Sequence, residues 1–70
     1  MRMSLYITIN AKIDSRKLYD ELRQFGINVL DLGEKTIAYL PIDIGYSEIE
    51  RIIFICSKYG DISVRGKTIV

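Results

Sequence analysis

The chain has 70 residues, of which 49% are hydrophobic and 27% charged, and its formal net charge at pH 7 is +1. A chain this short buries only roughly 60% of its unfolded surface, so it needs an unusually apolar core, and thirteen isoleucines can supply one. The small net charge excludes a general positive field that could hold a phosphate backbone, so any nucleic-acid binding would have to depend on a local group of cations. A single cysteine, Cys56, excludes an internal disulfide, and the lack of histidine excludes an ordinary zinc or haem site.

The same features predict a cytoplasmic protein. The longest apolar run covers residues 52–56, far short of the ~18 residues that a membrane span needs. The first residues do not resemble a signal peptide, and a lone thiol suits a reducing compartment. Abundant isoleucine, with more lysine and glutamate than glutamine and asparagine, suits a thermophile. We therefore expect no cofactor, no metal and no membrane partner.

The first predicted elements are a strand and a helix. Residues 4–11 alternate between apolar and polar side chains, which is the period of a half-buried strand. Asp14 then predicts a helix N-cap, with Ile13 and Leu18 in the positions of a hydrophobic staple. Gly26 stands where a helix commonly ends in a left-handed residue, so the helix should end just before it.

A hairpin follows the helix. Residues 27–32 and 35–40 flank the pair at 33–34, Gly-Glu, which suits a two-residue turn with glycine first. Counting outward from that turn pairs Leu30 with Ile37 and, one step further along the same face, Asn28 with Tyr39.

The last predicted elements are a second helix and a strand. Ser47 and Glu50 match a capping box, which predicts the start of the helix. Its expected core stripe consists of Ile49, Ile52, Ile53, Cys56 and Tyr59. The run 52–56 alone would also suit a strand, but the cap before it and the glycine after it favour helix. Alternation from Ile62 to Val64 begins the final strand, and residues 65–67 suit either a bulge in it or a turn into a fifth strand.

The predicted order is therefore βαββαβ in one domain, residues 1–70. Right-handed crossovers place both helices on one face of a four-stranded antiparallel sheet and leave the other face open. This pattern resembles the ferredoxin-like superfold, an α+β sandwich, over essentially the whole chain. The resemblance implies the fold and carries no function with it.

Catalysis finds little support in the sequence. Gly66-Lys67-Thr68 matches the end of a phosphate-binding Walker loop, but that motif needs a glycine where Asp61 stands and a helix afterwards. Cys56 falls on the buried stripe of a helix, where a thiol acts as a small hydrophobe. We therefore expect a protein that is not an enzyme.

The open sheet face is the predicted working surface. Its candidate residues are Tyr6, Thr8, Asn10, Asn28, Leu30, Lys35, Ile37, Tyr39, Ser63 and Arg65. The face is too apolar for plain solvent exposure, and such a patch usually marks a partner site. In the usual strand order of the superfold, Tyr6 and Tyr39 should lie near each other on the two central strands.

These strands also resemble parts of the RNA-recognition motif. Residues 5–10, Leu-Tyr-Ile-Thr-Ile-Asn, are similar to the first-strand hexamer of that family, with Tyr6 in the stacking position. Residues 35–42 are similar to its third-strand octamer in the leading Lys35 and the fifth-position Tyr39, whereas Ile37 replaces an aromatic. The resemblance implies weak binding of single-stranded RNA or DNA, with Lys35 and Arg65 contacting phosphates.

Assembly is the first prediction for function, ahead of nucleic acid. Burying a bare sheet would enlarge the core of so short a chain, so we expect a homodimer or a protein partner on the open face. Phe54, on the outer side of the second helix, is a further expected contact. The chain also resembles ACT domains in element order, so regulation by a small ligand is the third prediction. Lys12 and Ile13 leave no room for the effector loop that follows the first strand in those domains.

Overall fold

The computed structural model of the chain describes residues 2–69, and the side chains of residues 4–67. The elements are strand β1 (Arg2–Ile9), helix α1 (Ser15–Leu22), a 3-10 turn (Arg23–Phe25), strands β2 (Asn28–Asp31) and β3 (Thr36–Tyr39), helix α2 (Tyr46–Ser57) and strand β4 (Ile62–Ile69). The four strands form one antiparallel sheet in the order β2-β3-β1-β4. The chain thus has the ferredoxin-like α+β fold that the sequence predicts.

The core lies between the sheet and the two helices. Ile7, Ile9 and Ala38 alternate with polar or aromatic residues along the two central strands, and all three are fully buried. The buried residues of the helices are Leu18, Leu22, Ile52 and Cys56. Period two in the strands and period 3.6 in the helices therefore bring their apolar sides together, which leaves the other sheet face without a covering layer.

Helix α1 begins where the sequence predicts, but it ends at Leu22, and a 3-10 turn completes the helical segment before Gly26. The Asp14 carboxylate accepts hydrogen bonds from the backbone N–H groups of Arg16 and Lys17, at 3.2 and 3.4 Å, so it satisfies two free donors of the first turn. After Leu22 the chain tightens into the 3-10 turn, and Gly26 then adopts the left-handed conformation with φ of 73°. A residue with a Cβ is strained there, which explains the glycine.

The hairpin between β2 and β3 has the predicted register. Leu30 lies opposite Ile37 and Asn28 opposite Tyr39. Gly33 takes a φ of 87°, as a glycine at the first turn position must, and the Asp31 carboxylate accepts a hydrogen bond from its N–H at 2.8 Å.

The predicted capping box of α2 is wrong. The helix begins at Tyr46, its N-cap is Gly45, and no side chain caps it. The N–H of Ile49 donates to the Gly45 carbonyl at 3.0 Å, so Ser47 and Glu50 both lie inside the helix. The predicted core stripe is confirmed, because Ile52, Cys56 and their stripe neighbours pack on the core, and the alternative of a strand at 52–56 is excluded.

Strand β4 is one long last strand, as the first alternative for the tail predicts, but it contains no bulge. Ile62–Ile69 pairs with Arg2–Ile9 in an unbroken antiparallel register, with Gly66 opposite Leu5. Residues 65–67 therefore form neither a bulge nor a turn, and the chain has no fifth strand up to residue 69. Val70, the end of the predicted tail, lies outside the described residues.

Candidate functional site on the open sheet face

The register of the four strands arranges the predicted face in rows. One row crosses the sheet through Asn28, Tyr39, Tyr6 and Arg65, and the next through Leu30, Ile37, Thr8 and Ser63. We call this side of the sheet, with Asn10 and Lys35 at its margin, the open face. The ten residues predicted for this face lie on it or at its margin, whereas Phe54 lies on α2.

The two tyrosines meet at the centre of the open face. Tyr6 and Tyr39 lie directly opposite each other on β1 and β3, with ring centroids 6.1 Å apart and ring planes tilted by 39°. That distance is within the range of interacting aromatic pairs. Tyr39 remains 44% exposed and Tyr6 is partly exposed, so the pair stabilises the face while both rings stay accessible to a ligand.

A polar depression of about 290 Å³ lies beside Tyr6. The cations Lys35 and Arg65 line it, together with Thr8, Asn10 and Ser63. The Asn10 amide donates a hydrogen bond to the Ser63 Oγ at 3.3 Å, so the Ser63 hydroxyl proton remains free for another acceptor. A ligand in this depression would therefore meet two positive charges and at least two hydroxyl groups.

Charge is divided unequally between the two sides of the molecule. Arg65 and Lys67 are charged residues at open-face positions of β4, and no open-face position of the four described strands carries a carboxylate. The one acidic strand residue, Asp31, alternates to the helix side. Its carboxylate accepts a hydrogen bond from the Ser15 hydroxyl at 2.8 Å, and the bonds from Gly33 and Ser15 lower its pKa. The small net charge of the chain thus conceals a cationic open face.

The half of the open face on the hairpin side is apolar. Leu30, Leu32 and Tyr39 are 45%, 49% and 44% exposed, and Ile37 lies between them, partly exposed. Leu32 and Lys67 are not among the residues predicted for this face, although extending the alternation of β2 and β4 by one step places both on it. The face therefore combines an apolar strip, an aromatic pair and a cationic depression.

The other residues singled out from the sequence lie away from the open face. Phe54 is 67% exposed on the outer side of α2. Cys56 is fully buried in the core, and burial, with a smaller effect of the Glu21 charge, raises its pKa to about 11. Such a thiol is almost entirely protonated at neutral pH, so it is a core residue and not a nucleophile.

The described chain offers few other chemical features. Between residues 2 and 69 no three histidine, cysteine, aspartate or glutamate side chains lie close enough together to hold a metal ion. No helix in that range has the length and hydropathy to cross a membrane. The chain is a ferredoxin-like domain with an uncovered sheet face. It matches no protein-family model, no curated protein and no solved structure.

Proposed function

We propose that this chain is a non-enzymatic binding module that holds single-stranded nucleic acid on its open face. The observation that carries the proposal is the combination of an accessible tyrosine pair with a neighbouring cationic depression that no carboxylate lines. Aromatic rings on a sheet and nearby cations are the two groups that bind unpaired bases and their phosphates.

The tyrosine pair supplies the contact with bases. Stacking of one base on an aromatic side chain contributes about 1–3 kcal/mol, measured by substitution with alanine. Tyr6 and Tyr39 are also the two residues that occupy stacking positions in the resemblance to the RNA-recognition motif. The third such position is Ile37, which cannot stack in the same way, so we expect the site to take one or two bases.

The depression supplies the contact with the backbone. Lys35 and Arg65 flank it, and Lys67 lies one step further along β4 on the same face. Three phosphate contacts on a single strand correspond to a slope of log K against log salt concentration of about −2. We therefore expect weak binding that is strongest at low salt.

A protein partner is the second candidate, and the apolar half of the face favours it. Leu30, Leu32 and Tyr39 leave nearly half of their surface in water, as interface residues commonly do. A second copy of the chain is a poorer occupant of this face. Two copies would bring Lys35 and Arg65 of both chains into one interface that lacks carboxylates to pair with them, and like charges in an interface are costly.

The test is titration of the protein into short fluorescent single-stranded oligonucleotides, followed by anisotropy at several salt concentrations. Tyr39→Ala should weaken binding by roughly 5- to 150-fold, which corresponds to the loss of one stacked base. Arg65→Ala should make the salt slope shallower by about 0.7. Tyr46→Ala is the matched control, because Tyr46 is 78% exposed but lies on α2.

Two results would overturn the proposal. One is the absence of binding at millimolar protein in low salt. The other is equal loss of affinity in the Tyr39 and Tyr46 variants, since the open face would then not be the binding surface. A protein partner would remain if Tyr39→Asp abolished a complex with an acidic protein while oligonucleotides failed to bind.

A further inference from the structure

The outer side of α2 carries a second exposed surface, on the opposite side of the molecule from the open face. Glu50, Phe54 and Lys58 recur at intervals of four and form one ridge along the helix and its C-cap. Phe54 is 67% exposed, and the Lys58 ammonium lies 5.9 Å from the centre of its ring. We call residues 50, 54 and 58 the α2 ridge.

A groove of about 650 Å³ runs beside the α2 ridge, between α2 and the 3-10 turn that follows α1. Phe25, Phe54 and Ile55 form its apolar part, while Gln24, Glu50 and Arg51 form its polar margin. Its apolar part faces water, since Phe54 is 67% exposed. An aromatic side chain from another molecule would find apolar groups on both sides in this groove.

The charges of the α2 ridge are arranged symmetrically about Phe54. Glu50 precedes it by four residues and Lys58 follows it by four. A second α2 that crosses antiparallel, with a two-fold axis near Phe54, places Glu50 beside Lys58 of the partner subunit and Lys58 beside Glu50 of the partner subunit. Interlocking of two such ridges is the most common helix packing, with a crossing angle of about −50°.

We propose that the chain forms a two-fold symmetric dimer through α2, in which Phe54 of each copy enters the groove of the other. A two-fold contact needs a surface that complements itself. The α2 ridge is such a surface, because it carries one acid and one base at equal distances from an aromatic centre. The open face, which carries cations without carboxylates, is not. The contact of Lys58 with Glu21 in the same chain, at 3.9 Å, is half exposed and too weak to compete.

The arrangement leaves both open faces pointing outward. The proposal does not depend on what those faces bind. If each binds a segment of the same strand, the second segment binds at a raised effective concentration, and the dimer holds a strand more tightly than one copy does.

Sedimentation equilibrium of the full chain over a range of concentrations tests the dimer. The wild type should pass from 8.1 kDa to twice that mass. Phe54→Ser should raise the dimer dissociation constant by at least about tenfold, as loss of a central aromatic contact does. Tyr39→Asp on the open face should leave it unchanged. Circular dichroism of each variant checks that it is folded, and the exposure of Phe54 makes loss of folding an unexpected result.

Charge reversal tests the predicted register of the two helices. Glu50→Lys and Lys58→Glu should each weaken the dimer, because each creates two like-charged pairs, and the double variant should restore the wild-type constant to within a few fold. The proposal is overturned if the wild type stays monomeric at millimolar concentration, if Phe54→Ser dimerises as well as the wild type, or if the double variant is as weak as the single ones. An open-face dimer would instead be dissociated by Tyr39→Asp.

Discussion

Replacing Thr36 by valine should stabilise the protein. Thr36 is 1% exposed on the helix side of β3, opposite the fully buried Ile9. Its hydroxyl oxygen is buried and has no hydrogen-bond partner among the described residues. Burial of an unsatisfied polar group costs about 1–3 kcal/mol, and valine keeps the branched shape while it replaces the hydroxyl with a methyl group.

Thr36→Val should raise the free energy of unfolding by about 1 kcal/mol, which is the lower end of that range. The lower end applies because the hydroxyl is only partly hydrated in the denatured chain, so folding removes less water from it. For a domain of this length, 1 kcal/mol raises the melting temperature by about 4–8 °C. Urea denaturation at one protein concentration measures the change, and the m-value should stay constant because the surface exposed on unfolding is the same.

Two further variants isolate the hydroxyl from the methyl group. Thr36→Ser keeps the hydroxyl and removes a buried methyl, so it should destabilise the protein by about 1 kcal/mol. Thr8→Val makes the same chemical change on the open face, where water reaches the side chain, and should alter stability by less than about 0.5 kcal/mol. If Thr36→Val destabilises the protein, the hydroxyl has a hydrogen-bond partner in solution and the reasoning is refuted.

Three more predictions concern the packing around α2 and β4. Gly60 has a φ of 155°, and a Cβ there would lie 2.8 Å from the Ala11 Cβ. Gly60→Ala should therefore lower the free energy of unfolding, measured by urea denaturation, by about 1–3 kcal/mol. Adding Ala11→Gly should recover only the part of this loss that is due to the clash. Cys56 should resist iodoacetamide in the native protein at mildly alkaline pH and react once urea unfolds it, since burial raises its pKa to about 11. Burial, and then the 2.6 Å hydrogen bond to Glu21, raise the pKa of Tyr59 to about 12 from its ordinary 10.0. The protonated Tyr59 hydroxyl therefore contributes its full stabilisation below pH 10.0, and this contribution to the free energy of unfolding is lost as the pH rises towards about 12. In Tyr59→Phe, denaturation curves should not show that loss of stability at alkaline pH.

Each of these predictions has a contradicting result. Unchanged stability of Gly60→Ala would mean that the loop before β4 relaxes freely. Rapid labelling of native Cys56 would mean that the core opens locally. An identical alkaline loss of stability in wild type and Tyr59→Phe would assign that loss to other groups.

Local patterns predicted the fold where the responsible residues are neighbours in sequence. The turn at Gly33 fixed the register of the hairpin, and Asp14 and Gly26 marked the ends of the first helical segment. The start of α2 was mispredicted because an apparent capping box indicated a helix start two residues too late, at Ser47, while the actual N-cap, Gly45, has no side chain to signal its role. The length of β4 depends on pairing with a strand about 60 residues earlier, which no local pattern contains.

The candidate site was predictable in part for the same reason. The proximity of Tyr6 and Tyr39 follows from the strand order of the superfold, and it is confirmed. Lys35, Ser63 and Arg65 were predicted on the open face, but the depression that they line was not, because these residues come from the hairpin and β4 and meet only once all strands are in register. The separation of charge is equally invisible in composition, since it depends on the face to which each charged residue alternates.

The measurement that tests the central claim most directly is an NMR titration of the labelled protein with a short single-stranded oligonucleotide at low salt. Binding on the open face predicts shifts of Tyr6, Tyr39 and Arg65 that decrease as salt is added, with no shift of Phe54 on α2. A spectrum that stays unchanged at millimolar oligonucleotide, or shifts confined to α2, would contradict the assignment of the open face as the nucleic-acid site.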